Sequence, residues 1–276
     1  MNGLCADSAS MKDNCVFSFY MTDHIGSSYI DFGAINTAIV TDTSKLVTMD
    51  IIEEEFWWAQ WVTGFRWGNE WTEDQTEYKI NKEYGMTDTG SSCIIGPPKT
   101  IDYITRTILS TSDSVKNGPD IEFSSKKTKT FNCSDKSKMP SFDLLFGDYW
   151  FKVNPEDYLY HIPGKKGCTL CLEKSTDGDY WILGDVFMRG YYNIHDHTNK
   201  QIGFYSIDES KKPVPSKVVR RPTETIPYYI LGLKRTKFLI LATCVAVIIT
   251  AATTFAIVFF CFYALLKRAA KMQNKV

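Results

Sequence analysis

The sequence predicts a mainly β domain of antiparallel strands with a few short helices, followed by one transmembrane α-helix. Three observations carry that prediction. Short runs rich in aromatic and β-branched residues alternate with turn residues along most of the chain. Aromatics make up 14% of the residues, and they suit pleated, half-buried surfaces. From Phe238 to Leu266 no residue is charged, and at about 1.5 Å per residue such a helix exceeds the roughly 30 Å hydrocarbon core of a bilayer. The remaining composition is ordinary for a globular protein, with 44% hydrophobic and 23% charged residues. A net charge of -1 gives no electrostatic footprint for nucleic acid.

Taken in order, Val16–Met21 and Ser28–Phe32 read as strands, with His24, Ile25 and Gly26 in the turn between them. Phe56–Trp67 reads as another strand. Its Trp57, Trp61, Phe65 and Trp67 share one parity, as expected for packing on one face of a sheet. Gly68-Asn69 then turns the chain toward Trp71, a hairpin signal. After Pro97-Pro98 comes one helix, with Ile101, Ile104, Ile108 and Leu109 on one face and proline near the first turn. Thr111–Lys129 is polar and reads as a loop. Tyr191–Asp196 and Gln201–Ile207 close the domain as strands around a turn at Thr198-Asn199-Lys200. No internal repeat is evident.

Pro213, Pro215, Pro222 and Pro227 then interrupt a basic stretch, which reads as a semi-extended stalk because each proline fixes φ and removes a donor. The expected organisation is a folded lobe over 1–209, a stalk over 210–237, a membrane span over 238–266 and a basic tail over 267–276. Lys234, Arg235 and Lys237 flank one end of the span, and Lys267, Arg268, Lys271 and Lys275 the other. Both flanks being basic, the charge rule alone leaves orientation open.

Eight cysteines are present, six before the span (Cys5, Cys15, Cys93, Cys133, Cys168, Cys171) and two, Cys244 and Cys261, within it. The lone C-x-x-C, Cys168-Thr169-Leu170-Cys171, has no second pair and no matching histidines, so no metal site is expected and disulfides in an oxidising compartment are the preferred reading. Asn132-Cys133-Ser134 is a formal glycosylation sequon that a bonded Cys133 would block. The first residues, Met-Asn-Gly-Leu-Cys-Ala-Asp, lack the basic and apolar regions of a signal peptide. The expectation is therefore either a cytosolic tail-anchored chain or a start that is not the natural one.

Asp88-Thr89-Gly90-Ser91-Ser92 follows Tyr84-Gly85-Met86-Thr87 and precedes Gly96-Pro97. Alone it would be an ordinary turn. Downstream, Trp181-Ile182-Leu183-Gly184-Asp185-Val186-Phe187-Met188-Arg189-Gly190-Tyr191-Tyr192 resembles the hydrophobic-hydrophobic-Gly segment that passes beneath the D-T-G loop of pepsin-family aspartic proteases. The ending Asn193-Ile194-His195-Asp196, a turn, then Gln201-Ile202-Gly203-Phe204 is also similar to that family's, and Asp31–Asn36 resembles the hairpin that opens its C-terminal lobe. The resemblance covers nearly all of Leu4–Ile207 and is to the C-terminal lobe only.

That resemblance implies a membrane-anchored aspartic endopeptidase needing no cofactor. Asp88 is implied as a catalytic carboxylate supported by Thr89, Gly90 and Ser91, with Gly184 and Asp185 close behind it. Asp185 also reads as the N-cap of a helix over Val186–Arg189. A disulfide between Cys133 and Cys168 is implied by the same likeness. The family carries two D-T/S-G loops and an N-lobe flap with a tyrosine, whereas this chain has one loop; Asp42-Thr43-Ser44 lacks the glycine. Cys93 stands where an apolar residue is usual; free and buried, it would be a small hydrophobe, but its pairing, like those of Cys5, Cys15 and Cys171, stays open. The favoured expectation is a lobe recorded without its N-terminal partner. A single lobe pairing with a second lobe, and a non-catalytic membrane-anchored peptide- or protein-binding lobe, are the alternatives. Expected partners are a peptide or protein substrate, the missing lobe and the lipid bilayer, with the lobe lumenal or extracellular and the tail cytosolic.

Overall fold

The computed structural model describes residues 5, 11, 14–22, 26–52, 57–68, 76–111, 120–123, 126–130, 132–161, 164, 167–227, 229–230 and 233–273. The chain divides into two units, Met1–Ile226 and Pro227–Val276.

The first unit is mainly β. Its strands are β1 (Val16–Tyr20), β2 (Tyr29–Phe32), β3 (Val47–Asp50), β4 (Ala59–Trp67), β5 (Glu77–Thr87), β6 (Ile94–Gly96), β7 (Asp120–Phe123), β8 (Lys126–Lys129), β9 (Phe142–Phe146), β10 (Tyr149–Val153), β11 (Leu159–His161), β12 (Cys168–Leu170), β13 (Leu172–Lys174), β14 (Tyr180–Leu183), β15 (Tyr191–Asp196), β16 (Gln201–Ser206), β17 (Ser216–Lys217) and β18 (Glu224–Thr225). Among the described residues the α-helices that join them are α1 (Pro98–Thr111), α2 (Pro155–Tyr158) and α3 (Asp185–Met188). One antiparallel sheet has the order β2-β1-β15-β16-β3. The larger sheet runs β13-β6-β14-β5-β4-β9-β10-β17, with β18 paired to β5. It is mixed, because β14 pairs parallel with β5 and β13 parallel with β6.

Two aromatic clusters fill the lobe. Phe146, Phe151, Phe187, Tyr191 and Phe204 pack edge to face or tilted, with Phe151 and Phe204 centroids 4.8 Å apart. Phe65, Trp67, Tyr78, Tyr103 and Phe142 form the other, where the Trp67 indole donates to the Tyr103 hydroxyl at 3.2 Å. Ile101, Ile104 and Ile108 of α1 are buried with Tyr103, while Leu109 is only half-buried at the margin of that face.

Several expectations change. The single parity of the β4 aromatics breaks at a bulge between Val62 and Gly64, because a register shift moves the buried set to the other parity. Val62 is buried upstream of it, and Trp61 lies half-buried with the Lys82 ammonium 4.1 Å from its ring centroid. Phe65 and Trp67 are buried beyond it, and Trp57 is exposed. The predicted hairpin exists as the β4–β5 pairing, although Asn69 and Trp71 lie outside the described residues, as do His24, Ile25 and Phe56. The predicted loop over 111–129 contains the small hairpin β7–β8.

The predicted stalk is largely not a stalk. Residues 210–226 pack onto the lobe, where β17 extends the sheet beside β10 and β18 pairs parallel with β5. Lys212 is buried and forms an ion pair with Asp157 at 2.9 Å, and it also donates to the Lys152 carbonyl at 3.0 Å. Prolines 213, 215 and 222 therefore lie in a strap pinned to the lobe by Lys212 and by Arg221, which composition alone does not reveal.

The second unit holds a short hairpin, β19 (Tyr229–Ile230) with β20 (Leu233–Lys234), and the helix α4 (Arg235–Gln273). Within α4, Leu239–Phe262 is long and apolar enough to cross a membrane, with a mean hydropathy of 2.5. Residues 274–276 of the basic tail lie outside the described residues.

The strap gives a stability prediction. Replacing Lys212 by Met leaves Asp157 nearly buried without its cation, so the lobe should lose about 3–5 kcal/mol. Lys45→Met breaks only the exposed pair with Glu209 and should cost far less, because exposed pairs are screened by solvent. Urea unfolding of the two variants, followed by tryptophan fluorescence, makes the comparison; equal losses would disprove the anchoring role of Lys212.

Candidate functional site

Strand β5 ends at Thr87, and the next residue opens the loop that carries the candidate carboxylate. Thr87 is tied at its backbone N–H to the Trp58 carbonyl at 3.0 Å, and its hydroxyl donates to the same oxygen at 3.2 Å. Asp88 donates its backbone N–H to the Leu183 carbonyl at 3.2 Å. Its side chain is held at both oxygens: the Gly90 N–H donates to Oδ1 at 2.9 Å and the Ser91 hydroxyl donates to Oδ2 at 2.8 Å. A Cβ at Gly90 would stand 3.1 Å from Oδ1, so glycine lets the backbone approach the carboxylate closely. Asp88 is half-buried, and Thr89 is exposed.

The loop rests on the corner between β14 and α3. The Asp185 N–H donates to the Ser91 carbonyl at 2.9 Å and the Val186 N–H to the Ser92 carbonyl at 3.1 Å. A Cβ on Gly184 would run into the carbonyl oxygens of Ser91 and Cys93, so this corner admits only glycine. Gly184, not Asp185, is the N-cap residue of α3, and Asp185 occupies the first helical position without a side-chain capping bond. The cap assignment shifts by one residue because the preceding chain stays extended through Gly184. Burial pushes the Asp185 carboxyl above the usual carboxylate range; Arg189 opposes the shift and the negative Asp88 adds to it.

Disulfides brace the loop. Cys93, whose pairing the sequence left open, is bonded to Cys171, and the Ile94 N–H donates to the Cys171 carbonyl at 3.1 Å. Cys133 is bonded to Cys168 with a Cα separation of 5.2 Å. The two cysteines of the C-x-x-C thus belong to different bridges, and Cys5 is bonded to Cys15. His197 lies beside Cys5 and Cys15, but those sulfurs are joined to each other and offer no thiolate to a metal.

Two titratable groups near the loop were not singled out from the sequence. His195 on β15 is buried, stacks on Phe17 with centroids 4.8 Å apart and reaches the Thr87 hydroxyl at 3.5 Å. Burial pushes its imidazole down to about 3, so the ring is neutral. Glu83, five residues before Asp88, accepts a bond from the Trp181 indole N–H at 2.8 Å. Burial pushes its carboxyl up to about 7, the indole bond opposes this, and Asp179 adds to it. Neither stands out in the sequence, because Glu83 lies among Lys79, Asn81 and Lys82 and His195 between Asn193 and Asp196.

The eukaryotic aspartyl protease family matches residues 7–207. Vacuolar protease A of Neurospora crassa is 27% identical over 193 residues, covering 67% of this chain and 42% of that protein. Aspartic protease 17 of Caenorhabditis elegans is 29% identical over 211 residues, 73% of this chain and 49% of that protein. Human cathepsin D is 30% identical over 126 residues, 43% and 28% of the respective chains. The chain thus spans half or less of the length of these curated relatives.

Glu83 supplies a pH prediction. In the unfolded chain its carboxyl ionises near 4.5, and in the lobe only near 7. The folded state therefore holds the extra proton between those values, and stability falls as pH rises from about 4.5 to 7. Allowing for screening of this partly exposed group, the loss should be about 1–2 kcal/mol. Glu83→Gln keeps an acceptor for Trp181 and should flatten this part of the profile, measured by urea unfolding from pH 4 to 8. An unchanged slope in the variant would refute the assignment.

Proposed function

The chain belongs to the eukaryotic aspartyl protease family, and from that premise we propose that it is one lobe of a membrane-anchored aspartic endopeptidase in which Asp88 is one of two catalytic carboxylates. The observation that carries this reading is the hold on Asp88. Both carboxylate oxygens take hydrogen bonds from its own loop, at Gly90 and Ser91, and the loop is seated on the Gly184 corner. A carboxylate fixed in plane and left half-exposed is suited to orient a water molecule.

Peptide hydrolysis by this chemistry needs a second carboxyl. Two carboxyls that close share one proton, so one remains basic and the other acidic. The basic member takes a proton from the attacking water while the acidic member donates to the scissile carbonyl. The sequence holds one Asp-Thr-Gly segment, and Asp42 instead caps a 3-10 turn over Thr43–Lys45 through Ser44. The second carboxyl is thus supplied by a complementary lobe, and the substrate is a peptide or protein bound between the two. Thr89, exposed at the loop tip, faces outward for contact with that lobe.

Three disulfides in the lobe support a lumenal or extracellular location, and the apolar helix Leu239–Phe262 supports a single membrane span with the tail in the cytosol. Protease added to sealed vesicles bearing the full chain should leave the lobe intact and trim only the tail; digestion of the lobe from the cytosolic side would reverse the topology.

Activity provides the main test. The chain alone should not cleave an acidic-pH peptide library, because a solitary carboxylate cannot serve as acid and base toward one water at once. With the complementary lobe present, cleavage should appear, and Asp88→Asn should reduce kcat by at least about a thousandfold. Robust cleavage by the isolated lobe, or indifference to Asp88→Asn in the complemented enzyme, refutes the assignment; binding of peptides without cleavage favours a non-catalytic lobe.

A further inference from the structure

A recess lies between the larger sheet and the edge of the smaller one, away from Asp88. It has a volume of 1050 Å³ and is walled by β3, β4, β5, the β9–β10 turn, the start of β16 and the strap. From Lys82 on its wall to Asp88, β5 runs six residues, about 20 Å at strand rise, and no residue of the Asp88 loop lines the recess.

Its charge is unbalanced. Lys79, Lys82, Lys217 and Arg221 line it, against the carboxylates Asp50 and Asp148. Both carboxylates are already engaged: Asp148 is paired with Arg221, and Asp50 accepts from the Gln201 amide at 2.8 Å. The three lysines are exposed and have no ion-pair partner among the described residues. Lys82 instead sits over the Trp61 ring. The chain as a whole carries a net charge of -1, so this convergence of cations is a local feature. Gln60 and Thr63 also line it, Gln60 with its amide donating to the Asp50 carbonyl and Thr63 accepting from Arg221.

We propose that this recess binds a segment of sulfated polysaccharide. Ammonium groups spaced along an open cleft match sulfate esters spaced along a sugar chain. The exposed hydroxyls of Thr48 and Thr223 on its walls match sugar hydroxyls, and the half-exposed Trp61 holds the Lys82 ammonium over its ring. The three disulfides point to an oxidising compartment, where sulfated glycans rather than nucleic acids are the extended polyanions. The inference uses the proposed lumenal or extracellular placement but not the proteolytic reading, and the binding test below is independent of both.

The full chain, in nanodiscs of neutral phosphatidylcholine, is titrated calorimetrically with a heparin-derived hexasaccharide and with its desulfated counterpart. Binding should weaken as salt rises, and the desulfated sugar should bind at least about tenfold more weakly. Combined Lys79→Ala, Lys82→Ala and Lys217→Ala should weaken binding at least about tenfold and reduce its salt dependence, because the lost contacts are ionic. Lys174→Ala removes a lysine paired with Asp102 outside the recess and should leave binding within about twofold. Circular dichroism confirms that the variants stay folded, as expected for exposed side chains. No binding by the native chain, equal binding of the desulfated sugar, or equal loss in the Lys174 variant would each overturn the proposal.

Discussion

Three backbone hydrogen bonds, from Asp88 to Leu183, from Asp185 to Ser91 and from Val186 to Ser92, hold the carboxylate loop against the corner between β14 and α3. The contact requires Gly184, because any side chain there would meet two carbonyl oxygens. It also requires β14 to slot between β5 and β6, parallel to one and antiparallel to the other. Residues nearly a hundred positions apart are thereby made neighbours, and the loop has no freedom to drift. On the opposite side Cys93–Cys171 ties the same loop to the segment before β13. The geometry at Asp88 is thus a consequence of sheet topology, and its own side-chain bonds only finish what the backbone has set.

Burial shapes the titration of groups on the elements that carry that loop. Asp185 and Glu83 are carboxyls held above the usual range, and His195 is an imidazole held neutral. Asp185 follows the Gly184 corner on which the loop sits, and His195 reaches Thr87 just before the loop. Glu83 lies further back on β5, about 17 Å of strand from Asp88.

Much of this was legible in the sequence because it is local or carried by family likeness. The strands β1, β2, β15 and β16, the helix α1 and the D-T-G-S loop all announce themselves by alternation, helical spacing or turn residues. What escaped is non-local. The β4 bulge depends on how β5 and β9 pair with it, and the alternation of tryptophans cannot reveal an inserted residue. Cys93 found its partner 78 residues away. The strap was misread because proline-rich, basic sequence is equally compatible with a free tether and with chain laid along a sheet edge; only Lys212, a lysine that buries itself against Asp157, separates the two. Asp185 was misplaced by one position because the chain stays extended through Gly184, which takes the cap position without a side-chain bond.

The strap sets where the lobe hands over to the rest of the chain. Without it the lobe would end at β16, a strand of the smaller sheet. With β17 and β18 seated, the last residues paired into the larger sheet are Glu224 and Thr225, clasped to Tyr78 and Lys79. Under the membrane anchoring proposed above, a pull along the chain beyond them would enter through β5, the strand whose far end leads into Asp88, and the two-residue clasp would be the link that passed it on or slipped.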